Sequence, residues 1–183
     1  MRKWMKWSIA GLATFGAAAL FIVPKAATSA LPVGAKAPDF TTRGAMAGKL
    51  FTLTLSDQLK KGPVVLYFFP AAFTPGCTAE AHEFAEATDD FKAAGATVIG
   101  MSADPVDKLA RFSTEECRDK FAVASAGPAI VKGYDVALPV GGMTNRTSYV
   151  IAPTGRVAYV HSAMSYKDHV KNTLAAVQSM KAQ

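Results

Sequence analysis

Six consecutive apolar residues, Val64-Val65-Leu66-Tyr67-Phe68-Phe69, stopped by Pro70, constrain this chain more than anything else in it. A β-favouring run without polar alternation has no face left for water. It predicts a strand in the middle of a sheet, covered on both sides. The residues around it must supply that cover.

They carry the right patterns. Residues 50–55 (LFTLTL) alternate and predict a half-buried strand. Ser56 and Asp57 open a turn running to Gly62-Pro63. After the central strand, Pro75 opens a helix with Phe84, Thr88 and Phe91 near helical spacing, and Gly95 stops it. In that helix Glu80, Glu83, Glu86, Asp89 and Asp90 fall mostly on other faces. Residues 97–101 (TVIGM) form a second buried strand. Asp104 is placed to cap a helix starting at Pro105, with Leu109 and Phe112 inward. A short strand follows at 121–124, then a turn of helix at 127–132. Residues 147–151 and 156–161 pair as strands through Pro153-Thr154-Gly155. Residues 166–181 close the chain as an amphipathic helix with Val170, Leu174 and Val177 inward, and residues 31–38 read as a lead-in loop. A βαβ start, an antiparallel hairpin and a closing helix imply an α/β fold. Its central mixed β-sheet is flanked by helices on both faces, the thioredoxin-like layout.

The first 30 residues read differently. Arg2, Lys3 and Lys6 precede an uncharged stretch from Trp7 to Val23, followed by small residues from Ala26 to Ala30. This is the three-part order of a secretory signal peptide, with Thr28-Ser29-Ala30 as the cleavage site. An uncleaved membrane anchor is the alternative, although the stretch falls short of the roughly 20 apolar residues that span a bilayer. Either way residues 31–183 form the domain and face outward, in a periplasm. The leader also explains the charge. The chain carries +6, but Arg2, Lys3, Lys6 and Lys25 fall in a segment without acids, leaving 16 bases against 14 acids elsewhere. No long basic run remains to recruit nucleic acid.

The chemistry concentrates where the central strand runs into the helix. Cys77 stands in the first helical turn, where unpaired backbone N–H groups favour a thiolate. Thr74, three residues earlier, brings a hydroxyl within reach of the sulfur or of an oxygen bound there. The other cysteine, Cys117, is 40 positions away, and neither has the close Cys or His partner of a metal site. No cofactor is called for.

The spacing Pro70-x-x-x-Thr74-x-x-Cys77 resembles the peroxidatic motif of the peroxiredoxins, and the string TPGCTAE resembles their peroxiredoxin Q (bacterioferritin comigratory protein) subfamily. Gly34-x-x-Ala37-Pro38-Asp39-Phe40 is similar to the start of the family domain. Arg146-x-x-Tyr149-Val150-Ile151-x-x-x-Gly155 is similar to its catalytic-arginine strand and turn. The resemblance spans about residues 33–180. It implies a thiol peroxidase in which Cys77 attacks hydrogen peroxide or an organic hydroperoxide and becomes a sulfenic acid. Arg146 would hold the thiolate and donate to peroxide, Thr74 would donate as well, Pro70 would shield the sulfur, and Glu80 would orient Arg146.

Many members of the subfamily carry a resolving cysteine five residues after the first; here that residue is His82. Cys117 is then the candidate resolving thiol, forming a Cys77–Cys117 disulfide; the alternative is a one-cysteine enzyme. The resemblance further implies a monomer and an external thiol reductant, a thioredoxin-like protein or a small thiol. The main rival is an exported thiol-disulfide oxidoreductase. That chemistry needs a second thiol three residues on, where this chain has Glu80. A copper chaperone lacks its ligands here, and a non-enzymatic binding domain would leave Cys77 unreactive. His161 and His169 show no partnering pattern.

Overall fold

A computed structural model describes residues 30–139 and 141–182. The leader, apart from Ala30, lies outside the described residues.

Seven strands form one sheet. They are β1 (Thr41–Met46), β2 (Lys49–Thr54), β3 (Val64–Phe68), β4 (Thr97–Ser102), β5 (Ala122–Ser125), β6 (Thr147–Ile151) and β7 (Val157–Ser162). Their order is β2-β1-β5-β4-β3-β6-β7. β3, β4 and β5 run parallel, while β6 and β7 add antiparallel on one side and β1 and β2 on the other. The mixed α/β sheet is as expected, and β3 sits inside it with all five residues buried.

The side-chain period of a strand divides the core in two. Val65, Tyr67 and Phe69 point to one face, where helices α2 (Pro75–Ala93), α3 (Val106–Glu115) and α5 (His169–Lys181) cover them with Phe84, Phe91, Leu109, Phe112 and Val177. Val64, Leu66 and Phe68 point to the other face, covered by α1 (Leu55–Leu59) and α4 (Pro128–Gly133) through Leu55, Leu59 and Ile130. Tyr67 and Phe84 stack with ring centroids 4.2 Å apart. That contact clamps the cysteine-bearing helix onto the central strand.

Three local expectations are corrected, and one strand was missed. Strand β1 was not legible: Thr-Thr-Arg-Gly has little apolar signal, and its pairing depends on Gly44. A Cβ there would lie 3.1 Å from the Val123 carbonyl oxygen and 3.2 Å from the Ala124 Cβ. The segment after β2 is a short helix rather than a turn, because Leu55 and Leu59 stand one helical turn apart and both bury. Asp104 does not cap α3, whose cap position is Pro105. Its carboxylate accepts from the Ala72 N–H (2.6 Å), the Ser102 hydroxyl (2.8 Å) and Lys108 (2.8 Å) instead. The last helix starts at His169, after Asp168 takes a left-handed φ of 72°.

No helix among the described residues is long and apolar enough to cross a membrane. Phe84→Ala removes the ring stacked on Tyr67 and opens a void under α2. It should destabilise the fold by about 3–5 kcal/mol, read by urea unfolding.

Candidate active site

The loop after β3 is built so that α2 starts under the carboxyl end of the sheet. Thr144 donates to the Phe69 carbonyl (2.7 Å), and Asp104 holds the Ala72 N–H, so both sides of the partly buried Pro70 are pinned. Burial pushes the Asp104 carboxyl up, but hydrogen bonds from Lys108, the Ala72 N–H and Ser102, with the Lys108 charge, hold it below its usual range. Thr74 then takes the cap position and Pro75 the first helical one, which places Cys77 third in the helix. The Cys77 amide lies in the first turn, among N–H groups that lack intrahelical acceptors.

Arg146 immediately precedes β6, the neighbour of β3. Its Nη2 donates to Cys77 Sγ at 3.4 Å, its Nε donates to the Met164 carbonyl at 3.0 Å, and its Nη1 donates to Glu80 Oε2. All three side chains are withdrawn from water: Cys77 is 1% exposed, Arg146 5% and Glu80 0%. Two residues distant in sequence, Cys77 and Arg146, thus meet. Glu80, read from the sequence as half surface and half site, is committed to the site. Burial pushes its carboxyl above the usual range while Arg146 works against the shift. Burial works against the guanidinium, but its contacts with Glu80 and Cys77 raise it above its usual range, so it stays protonated.

Thr74 is placed differently from the expectation. It is exposed, and its hydroxyl donates to the Ala71 carbonyl at 3.0 Å rather than to the sulfur. A hydroxyl has one proton, so donation to a bound oxygen requires release of Ala71. Cys117 lies just past the end of α3, fully buried in the same apolar cluster as Cys77, and both are free thiols. Burial pushes the Cys117 thiol well up, which leaves it a poor nucleophile in this conformation. His82, where a resolving cysteine is usual, instead contacts Glu116 beside Cys117, Nε2 to Oε2 at 2.7 Å. That pair joins α2 to the end of α3.

His169 was missed. Its ring is buried at the start of α5, with Nδ1 2.8 Å from the Ser148 hydroxyl, Nε2 3.0 Å from the Ala163 carbonyl, and Glu80 Oε1 3.7 Å from Nδ1. Burial lowers it to about 4. The signal was present: His169, Thr173 and Val177 recur every four residues and all face inward. Among the described residues no cluster of His, Cys, Asp and Glu is grouped to hold a metal ion.

The geometry can be set beside known proteins. Residues 33–160 match the model of the AhpC/TSA family. The chain is 33% identical over 149 residues to a chloroplastic peroxiredoxin Q of Oryza sativa subsp. japonica, covering 80% of this chain and 67% of the relative. It is 33% identical over 132 residues to a peroxiredoxin of Mycobacterium tuberculosis, covering 70% of this chain and 86% of the relative. The crystal structure of peroxidoxin BcpB from Mycobacterium tuberculosis superposes with a TM-score of 0.73 at 32% identity, over 82% of this chain and 98% of that one. A reduced 2-Cys peroxiredoxin from Plasmodium vivax superposes with a TM-score of 0.74 at 22% identity, over 82% of this chain and 96% of that one, and shares the fold.

The lowered His169 carries a stability consequence. Its unfolded value is 6.5 and its folded value about 4, so between these the unfolded chain binds the extra proton. The stability gained from neutral His169 is complete above about pH 6.5 and is lost as pH falls toward 4. Urea unfolding across that window should show wild type losing stability more steeply than His169→Gln, by up to about 1.4 kcal/mol per pH unit.

Proposed function

Since the chain belongs to the AhpC/TSA family and is a peroxiredoxin, a thiol peroxidase, we propose that Cys77 is its peroxidatic sulfur and that Arg146 activates both the sulfur and the peroxide. The observation that supports this most is the 3.4 Å contact from Arg146 Nη2 to Cys77 Sγ between two buried side chains. A guanidinium and a helix N-terminus both favour the ionised sulfur.

In the reaction the thiolate attacks one oxygen of the peroxide in line with the O–O bond. The S–O bond forms as the O–O bond breaks, and the electron pair leaves on the distal oxygen. A proton from solvent turns that oxygen into water or an alcohol. Sulfur is oxidised by two electrons to sulfenic acid and the peroxide is reduced by two. Fixed donors aimed at the growing charge lower the barrier, and Arg146 Nη2 stands beside the attacking atom. The Cys77 amide and, once freed from Ala71, the Thr74 hydroxyl complete the donor set. Pro70 limits water at the sulfenic acid, and Glu80 fixes the guanidinium from behind.

We read Cys117 as the resolving thiol. Its sulfur attacks the Cys77 sulfenic acid, forms the disulfide and releases water. A disulfide needs Cα atoms within roughly 7 Å and two accessible sulfurs. Both sulfurs are buried here, so the first turn of α2 and the Cys117 segment must open. Two thiol equivalents, from a thioredoxin-like protein or from a small thiol, then return both sulfurs to thiols and leave as a disulfide. We read residues 1–30 as an export leader, so that the enzyme would work in the periplasm, as a monomer acting on hydrogen peroxide and organic hydroperoxides, away from cytosolic thioredoxin. The oxidoreductase alternative is disfavoured because Glu80, at the second-thiol position, is bound to Arg146.

Cys77→Ser should abolish peroxide consumption, followed with one equivalent of hydrogen peroxide; turnover near wild type would refute the assignment. Cys117→Ser should form a dimedone-trappable sulfenic acid but no intramolecular disulfide, read by intact mass. A disulfide mass unchanged from wild type would exclude resolution by Cys117.

A further inference from the structure

Arg146 is gripped by a segment that no catalytic role explains. Residues 163–168 connect β7 to α5. The Ala163 N–H donates to the Arg146 carbonyl at 3.1 Å, and the next residue, Met164, accepts from Arg146 Nε at 3.0 Å. One short stretch of backbone therefore holds the arginine at both its main chain and the root of its guanidinium. What holds that stretch is the His169 ring.

The protonation pattern of the ring follows from its neighbours. The Ala163 carbonyl can only accept, so Nε2, 3.0 Å away, carries the hydrogen. A ring neutral in its burial then has a bare Nδ1, which accepts from the Ser148 hydroxyl at 2.8 Å. On the same side Nδ1 faces Glu80 Oε1 at 3.7 Å, a buried oxygen without a hydrogen-bond partner, while the other oxygen of that carboxylate receives Arg146 Nη1. The His161 ring packs edge-on at 4.5 Å between centroids. His169 thus abuts the two groups that fix Arg146, the 163–164 backbone and Glu80. Its single hydrogen is committed to Ala163, so it does not relay protons to the sulfur.

We propose that His169 is a positioning residue for the peroxidase reaction: by holding the Ala163 carbonyl it sets the Met164 carbonyl and thereby the plane in which Arg146 meets Cys77. The assignment rests on the peroxidase reading of Cys77 and Arg146. The mechanism is geometric. A guanidinium donates only in its plane, so a shift of the carbonyl that anchors Nε swings Nη2 away from Sγ.

Two amide variants separate this role from mere filling of space. The side-chain nitrogen of glutamine reaches the position of Nε2 and can donate to Ala163. Asparagine reaches only as far as Nδ1 and can pair with Ser148 but not with Ala163. His169→Asn should lower the second-order rate constant with hydrogen peroxide by about tenfold or more, and His169→Gln should return it to within about threefold of wild type, as expected for a displaced catalytic group. The alkylation rate of Cys77 by iodoacetamide should fall in His169→Asn and recover in His169→Gln. This readout needs no peroxidase activity, so it judges His169 even if the peroxidase reading fails. His169→Leu should behave as Asn does; should it not fold, the Asn and Gln pair decides alone. Equal rates in the Asn and Gln variants, whether both fast or both slow, would overturn the assignment. A wild-type protein that ignores peroxide while the alkylation pattern holds would sink the functional reading and leave the positioning role standing.

Discussion

One buried cation organises this molecule. Arg146 is 5% exposed, and a guanidinium removed from water must be met by fixed acceptors or it destabilises the fold. Glu80 supplies the charge, the Met164 carbonyl supplies a neutral acceptor, and the Cys77 sulfur takes the third direction. Two of the acceptors stand one turn apart on α2, and the third comes from the loop after β7. The pairing of β3 with β6 sets their meeting place. The same contact that satisfies the arginine sets a guanidinium donor on the Cys77 sulfur, so the fold and the proposed chemistry share one interaction.

That arrangement explains which parts were legible in sequence. Strand β3 reads plainly because a strand covered on both faces has nowhere to put polar residues. Cys77 after Thr74 and Pro75 reads plainly because a helix start has its own chemistry. Arg146 came only through its resemblance to a known strand motif, since nothing in one sequence pairs residues 69 apart. Glu80 sits among Glu83, Glu86, Asp89 and Asp90, and a helix face cannot be resolved among so many acids. Its burial follows from Arg146, a long-range fact. His169 was overlooked for the opposite reason: polar residues on an inward stripe, here His169 and Thr173, are easily taken for helix surface. Asp104 has the composition of a helix cap, but the Ala72 N–H of a distant loop outcompetes the local one.

The fold also sets a conflict between the two halves of the catalytic cycle. Phe84, Phe112 and Phe121 share one buried cluster with both cysteines, so any separation of the two thiols' surroundings disrupts that packing. Cys117 has no electrostatic help there, and burial keeps it protonated. The His82–Glu116 contact ties the two helical segments that would have to part. Resolution by Cys117 requires the packed site to open, because both sulfurs are buried. Where other members place a thiol five residues on, this chain has a residue that fastens α2 to the neighbour of Cys117.

The central claim is that Arg146 acts on the peroxide and not only on the sulfur. An ionised but otherwise ordinary thiolate would react with any electrophile at the rate its ionisation allows. The direct measurement is the ratio of two rate constants for Cys77 in the wild-type protein, with hydrogen peroxide and with iodoacetamide, each divided by the same constant for free cysteine thiolate. The account requires a large acceleration toward peroxide and little or none toward the alkylating agent. Equal accelerations, or none for either, would contradict it.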